Sequence, residues 1–305
     1  MSCKVIMKII RAEHLGMCFG VRDAIALALE ESQVQPLTIL GDLVHNETVL
    51  AELRIRGIQI AQQPSQVATG TVMVTAHGAS DKALIRARAR GLAVLEATCP
   101  LVHVAHRAVK GLVQAGYYPI IIGKAGHVEV RGLTEDLAEF SVALTERDIL
   151  DVPEHPRFGV AAQTTQPIER VRRLVDLLRM RFPAADVRFI DTVCQPTKQR
   201  QNAAMELARQ SDVVVVIGGA HSNNTHELVQ TCRLRCSRVH HVQTAADLRV
   251  EWFAVAGTVG ITAGTSTPDS LINDVTSWLR DLASRAMPSN RDEAEIQPTT
   301  ELRAA

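Results

Sequence analysis

Residues 92–113 read LAVLEATCPLVHVAHRAVKGLV: an apolar strand, then Cys99, then a helix. The same order recurs in RAEHLGMCFGVRDAIALALEE at 11–31 around Cys18 and in VRFIDTVCQPTKQRQNAAMELA at 187–208 around Cys194. Three copies of one supersecondary opening, far apart along the chain, indicate an internal repeat.

Each copy continues in the same way. A strand ending in glycine and a polar turn follows, as TILGDLVHNETVLAEL (38–53), IIIGKAGHVEVRGL (120–133) and VVVIGGAHSNNTHELV (214–229). A further strand, small polar residues and a helix come next, as VMVTAHGASDKALIRARA (72–89), GVAAQTTQPIERVRRLVDLL (159–178) and VGITAGTSTPDSLINDVTSWL (259–279). The spacing holds: Cys18 to His45 is 27 residues, Cys99 to His127 is 28 and Cys194 to Ser222 is 28. Strand–helix alternation predicts an α/β fold with parallel sheets. We expect three α/β units, 1–98, 99–193 and 194–285, and a polar C-terminal tail, 286–305. Ligands of open parallel sheets bind at the carboxyl ends of the strands. Three units related by a pseudo-threefold axis would turn those ends towards one central cavity.

The chain has 305 residues, 46% of them apolar, with 33 basic side chains against 33 acidic. That balance gives no broad basic face for nucleic acid or a membrane surface, so an anionic ligand must be held locally. No apolar run reaches the roughly 20 residues of a membrane span, and no signal core opens the chain. A cytoplasmic protein is expected, as a monomer or homodimer. Six cysteines in that compartment point to metal or redox chemistry rather than disulfides.

A lone cysteine is most often a small core residue. Matched placement at three helix N-termini, where N–H groups and the dipole favour a thiolate, reverses that reading for Cys18, Cys99 and Cys194. Three thiolates on one axis suit a 4Fe–4S cluster with one iron left open; oxidative loss of that iron would leave a 3Fe–4S form. Cys232 and Cys236, at i, i+4 spacing, have no match in the other repeats and read as structural, and Cys3 reads as incidental. His45, His77, His127, Glu129, Thr164, Thr165, Ser222, Asn224 and Ser266 fall at strand ends. Histidine, hydroxyl and amide donors with a single acid suit a compact anion such as a diphosphate. Each alone reads equally well as a helix cap or a satisfied structural residue. Glu129, buried beside such groups, should have a raised pKa and act as a proton source; it is also where a first-turn acid would complement a helix dipole. No Walker loop or G-x-G-x-x-G fingerprint follows a strand, which argues against nucleotide binding.

The motifs G-M-C-F-G-V at Cys18, L-V-H-N at His45, T-A-H-G at His77, A-T-C-P-L-V at Cys99, G-H-V-E-V at His127, A-Q-T-T at Thr164, S-N-N-T at Ser222 and T-A-G-T-S-T-P at Ser266 resemble the 4-hydroxy-3-methylbut-2-enyl diphosphate reductases, or LytB-type proteins. The resemblance spans about residues 8–285. It implies a trefoil of three α/β domains around one 4Fe–4S cluster on Cys18, Cys99 and Cys194. It also implies reductive removal of an allylic hydroxyl, giving isopentenyl and dimethylallyl diphosphate, the last step of the non-mevalonate pathway. The implied diphosphate contacts are His45, His77, His127, Ser222, Asn223, Asn224 and Ser266. Glu129 would relay the proton with His127 beside it, and Thr165 would position the hydroxyl end. Electrons would come from a ferredoxin or flavodoxin-type donor. Val128 stands where the family usually has proline, Asn223 where many members have serine, and Val104 where lysine is frequent. A divergent paralogue, another three-cysteine iron–sulfur (de)hydratase and an iron–sulfur sensor are the alternatives. A dehydratase would need no reductant, and a sensor would need no polar ring.

Overall fold

The computed structural model describes residues 7–285; Cys3 and the tail 286–305 lie outside the described residues. The chain begins with β1 (Lys8–Arg11), passes Cys18 into α1 (Phe19–Val34), and continues through β2 (Leu37–Leu40), α2 (Glu47–Ile55), β3 (Gln59–Ala61), β4 (Thr71–Val74), α3 (Asp81–Ala89) and β5 (Ala93–Glu96). After Cys99 come α4 (Pro100–Gln114), β6 (Tyr118–Ile122), α5 (Val128–Thr134), β7 (Ser141–Ala143), α6 (Glu146–Leu150), β8 (Arg157–Ala162), α7 (Ile168–Arg181) and β9 (Asp186–Phe189). After Cys194 come α8 (Gln195–Arg209), β10 (Val213–Ile217), α9 (Asn223–Arg233), β11 (Val239–Val242), β12 (Thr258–Ala263) and α10 (Asp269–Arg285).

These strands form three four-stranded sheets, ordered β3-β2-β4-β5, β7-β6-β8-β9 and β11-β10-β12-β1. All of their ladders are parallel. The third sheet corrects the first unit as the sequence divides it. Strand β1 precedes Cys18 and was expected with residues 12–98, yet it pairs with β12, Lys8 against Thr258 and Arg11 against Ile261. β1 thus occupies the edge position that β5 and β9 fill in the other two sheets. The chain start closes the third sheet, and each cysteine follows a strand belonging to the preceding unit.

Why these segments are strands is visible in their burial. All five residues of β10 are buried, as expected of a central parallel strand covered on both faces. On β6 the side chains alternate. Ile120 and Ile122 pack with Phe158, Val160 and the Val171, Leu174 and Leu178 stripe of α7, while Ile121 meets Ala105 and Val109 of α4 and Val130 of α5. Period two on the strand meets period 3.6 on the helices. Each fully buried aliphatic side chain of this kind contributes about 1.5–3 kcal/mol. The units are also cross-linked by polar contacts. Arg170 of α7 meets Glu227 of α9 through two hydrogen bonds of 2.6 and 3.0 Å, and Ser80 and Arg86 both contact Glu135. Among the described residues no helix is long and apolar enough to cross a membrane.

Ile261, fully buried on β12, is flanked by Arg11 of β1 and Val215 of β10. Replacing it with alanine is expected to destabilise the chain by ~2–5 kcal/mol, measured by equilibrium urea unfolding against the parent.

Candidate functional site

Cys18, Cys99 and Cys194 are the N-caps of α1, α4 and α8, and no sulfur bonds its own helix as a cap. Their backbone N–H groups point elsewhere. Cys18 donates to the Thr265 carbonyl (3.4 Å), Cys99 to that of Ala76 (3.1 Å) and Cys194 to that of Thr164 (3.0 Å). Those acceptors lie in the loops after β12, β4 and β8, and the next residues in the loops are Ser266, His77 and Thr165. Each cysteine is therefore tied by one backbone bond to a loop that carries a polar ring residue.

Three partly exposed thiols make up the donor set. Burial pushes the Cys194 thiol up to about 11, and the nearby charges of Glu129 and Cys18 add to this. Burial raises Cys99 likewise, with Cys18 and Glu129 as adverse neighbours. The helix N-termini were expected to favour thiolates; desolvation wins instead, so in the free protein Cys99 and Cys194 stay protonated at neutral pH. Binding a metal must then release protons. Among the described residues, the one group of His, Cys, Asp or Glu ligand atoms lying within 4.8 Å of one another is His45, His77 and His127. The sulfurs are thus too widely set to close around a single ion. A polynuclear core takes each cysteine on a different metal. Gly20 supports that fit. A Cβ there would lie 2.6 Å from Cys99 Sγ, so only glycine lets the first turn of α1 approach the sulfur. The soft, all-sulfur set suits iron–sulfur chemistry.

Cys232 and Cys236 are buried and their sulfurs contact backbone carbonyls, Cys232 that of Ala204 and Cys236 those of Asp212 and Arg238. They do not share a helical face, because α9 ends at Arg233.

His45, His77, His127 and Thr165 line one small cavity together with Ser222, Asn223, Asn224 and Ser266. The three imidazoles form a triangle with centroid separations of 5.0, 5.6 and 5.6 Å. Burial and mutual repulsion keep them neutral. His127 is pushed down to about 4, chiefly by desolvation and then by His45 and the cations Lys124 and Arg131. His77 lies well below the usual range, from burial and its two ring neighbours. His45 is lowered by burial, against the opposing pull of Asp42. The tautomer of His127 is set: its Nδ1 accepts the Glu129 N–H at 3.2 Å, so the neutral ring carries its proton on Nε2 and presents a donor. That suits an anion and not a metal ion, which would need the lone pair.

Other ring members are similarly primed. Among the described residues the amide nitrogens of Asn223 and Asn224 and Nε2 of His45 are buried without partners, a costly state unless a ligand is bound. Asn224 is oriented by the Thr265 N–H donating to its Oδ1 at 3.0 Å. Ser222 caps α9, accepting from Thr225, and Ser266 approaches the His45 carbonyl at 3.5 Å. Gln163 donates to Thr165 Oγ1 at 3.1 Å, which leaves the threonine proton free to donate in turn.

Glu129 sits behind this ring, fully buried. It takes the Thr164 N–H on Oε1 at 2.6 Å and the Thr164 hydroxyl on Oε2 at 3.0 Å. Burial raises its pKa to about 7, against the lowering effect of both Thr164 bonds. Because Thr164 also accepts the Cys194 N–H, one residue joins the acid to a cysteine. Val128 opens α5 and lines a different cleft, between α3 and α5; Glu129 is held from Thr164 regardless.

The repeat contains one offset. The helix caps Asn46, His127 and Ser222 each follow their cysteine by 28 residues (46 − 18, 127 − 99, 222 − 194). Asn46, not His45, is the counterpart of the other two, and its side chain is spent on the Thr48 and Val49 N–H groups. Thr265, Gly20 and Thr197, whose hydroxyl lies 3.1 Å from Cys194 Sγ, also belong to the site. Gly20 and Thr265 stood inside recognisable motifs, but nothing local marked their contacts.

A family profile described as LytB protein matches residues 9–280. A protein of Geobacter metallireducens named 4-hydroxy-3-methylbut-2-enyl diphosphate reductase is 34% identical over 91% of this chain and 99% of its own. One of the same name from Geobacter sp. strain M21 is 37% identical over 88% and 95%. Among solved structures, one titled as (E)-4-hydroxy-3-methyl-but-2-enyl diphosphate reductase, the terminal enzyme of the non-mevalonate pathway, superposes with TM-score 0.66 at 36% identity, covering 90% of this chain and 99% of that one. The E-1-hydroxy-2-methyl-but-2-enyl-4-diphosphate reductase of Plasmodium falciparum gives 0.83 at 25% identity, covering 91% and 87%.

Infrared difference spectra of the metal-free protein should show a protonated carboxyl band that disappears with a midpoint near pH 7 and is missing from Glu129→Gln. The sign follows from burial, which favours the neutral acid, so the band is present below the midpoint and lost above it.

Proposed function

We propose, for a chain that belongs to the LytB protein family, that it is a 4-hydroxy-3-methylbut-2-enyl diphosphate reductase whose cysteines hold one 4Fe–4S cluster. The reaction breaks the allylic C–O bond. The hydroxyl leaves as water, and two electrons and two protons are consumed in giving isopentenyl and dimethylallyl diphosphate. The observation that carries the site assignment is the cavity itself: nine donor-bearing side chains from three repeats face one small space, beside a neutral-range acid and three thiols.

The residues divide the work. His127 presents Nε2–H, while Asn223 and Asn224 hold unpartnered amide protons; with His45, His77, Ser222 and Ser266 they grip the diphosphate. Thr165, its oxygen already occupied by Gln163, donates to the hydroxyl end. Glu129, protonated near pH 7, supplies a proton for the departing water, and Thr164 holds its carboxyl in place. Cys18, Cys99 and Cys194 would hold the cluster, which would supply electron transfer and Lewis acidity at the hydroxyl end. A one-electron protein donor of the ferredoxin or flavodoxin class would be the source of the electrons.

A consequence follows from the neutral imidazoles. An anion among them favours their protonated forms, so binding takes up protons and affinity falls as pH rises. Calorimetry of inorganic diphosphate with the chain at pH 6, in buffers of differing ionisation enthalpy, should give net proton uptake, diminished in His127→Asn.

The direct test is an anaerobic assay of reconstituted protein with 4-hydroxy-3-methylbut-2-enyl diphosphate and a reduced one-electron donor. Turnover that depends strictly on the reductant is expected, with Glu129→Gln keeping the cluster absorption and losing about 10²-fold or more in kcat. Turnover without reductant would point to a dehydratase instead, and full activity of Glu129→Gln would remove it from the mechanism.

A further inference from the structure

Arg200 is a buried cation without an anion. It lies in the second turn of α8, 7% exposed. Its guanidinium makes two hydrogen bonds, Nε to the Gly16 carbonyl at 2.9 Å and Nη1 to the Pro196 carbonyl at 3.1 Å. Among the described residues it has no ion pair with a carboxylate. The neighbouring cation, Arg22, is already bound to Asp269. A buried charge left uncompensated is strongly unfavourable, so a fold that keeps one generally provides an opposite charge nearby.

The carbonyls it grips identify that partner. Gly16 stands two residues before Cys18 and Pro196 two residues after Cys194, and Arg200 reaches Gly16 across 184 residues of chain. One planar side chain therefore joins the loop that carries the first cysteine to the helix that carries the third. Burial lowers the guanidinium's pKa and Arg22 adds to this, while charge on the Cys18 and Cys194 sulfurs opposes it.

We propose that Arg200 is a positioning residue that clamps Cys18 to Cys194 and compensates the negative charge of the cluster they hold, setting its reduction potential. This rests on the cysteine assignment above. A fixed cation beside a centre that gains an electron stabilises the reduced form, and net charge and hydrogen bonding are the protein's levers on such potentials. The reductase reaction needs a centre that accepts electrons readily from its donor.

The test compares the parent, Arg200→Lys and Arg200→Gln, each reconstituted anaerobically, by iron content and by potentiometric titration of the cluster absorption. Arg200→Gln is expected to be harder to reduce by at least tenfold in the one-electron equilibrium, about 59 mV more negative. Arg200→Lys should keep the parental potential while retaining less iron, because it keeps the charge and loses the fork. If Arg200→Gln takes up no cluster, cluster assembly in Arg200→Lys at the parental potential supports the charge role, and equal failure of both overturns it. An unshifted potential in cluster-loaded Arg200→Gln also overturns it. If the parent itself binds no cluster, the cysteine assignment fails, and that outcome is separate from any difference among the variants.

Discussion

Three backbone hydrogen bonds hold the site together. The N–H groups of Cys18, Cys99 and Cys194 each reach a carbonyl in the loop of the preceding sheet, and in each loop the following residue lines the ligand cavity. A parallel sheet delivers its loops at the strand ends, and the three sheets deliver three such bonds, each next to a residue that lines one cavity. Each cysteine's main chain is thus fixed by a bond from outside its own helix, and at Cys194 the Thr197 hydroxyl also contacts the sulfur at 3.1 Å. The same bonds tie the cysteines directly to the loops that carry Ser266, His77 and Thr165.

The chemistry of the two layers differs, and burial explains the difference. At Cys99 and Cys194 desolvation raises the thiols, so a metal bound there would have to displace their protons. In the ring, desolvation lowers the imidazoles, so at neutral pH they are uncharged. Glu129 lies between, carried into the neutral range by the same effect. A single physical cause thus yields poised thiols, poised histidines and a poised acid, with Thr164 bonded to both Glu129 and Cys194.

Much of this was legible in the chain because the signals were local and repeated. Strand–cysteine–helix units announce their own secondary structure, and equal spacing shows which residues share a position. What was hidden depends on tertiary placement. Strand β1 looks like the start of the first unit, but its hydrogen-bonding partner is β12, some 250 residues away. The slip between His45 and Asn46 is one residue, and only the cap geometry of α2 decides it. Neutral histidines cannot be read from a motif, since neutrality follows from how completely water is excluded. Arg200 is one arginine among many until its two carbonyl partners are seen. The reductase activity carried by relatives over some nine-tenths of the chain agrees with the motifs, while the role of each residue rests on this geometry.

The most direct measurement is iron and acid-labile sulfide per chain, with iron-57 Mössbauer spectra, for anaerobically reconstituted protein and for the Cys99→Ser variant. About four irons and four sulfides are expected in the parent, one iron differing from the other three in its ligands, with the cluster lost from the variant. Iron bound without sulfide, or an unchanged cluster spectrum in Cys99→Ser, would contradict a single core shared by the three cysteines.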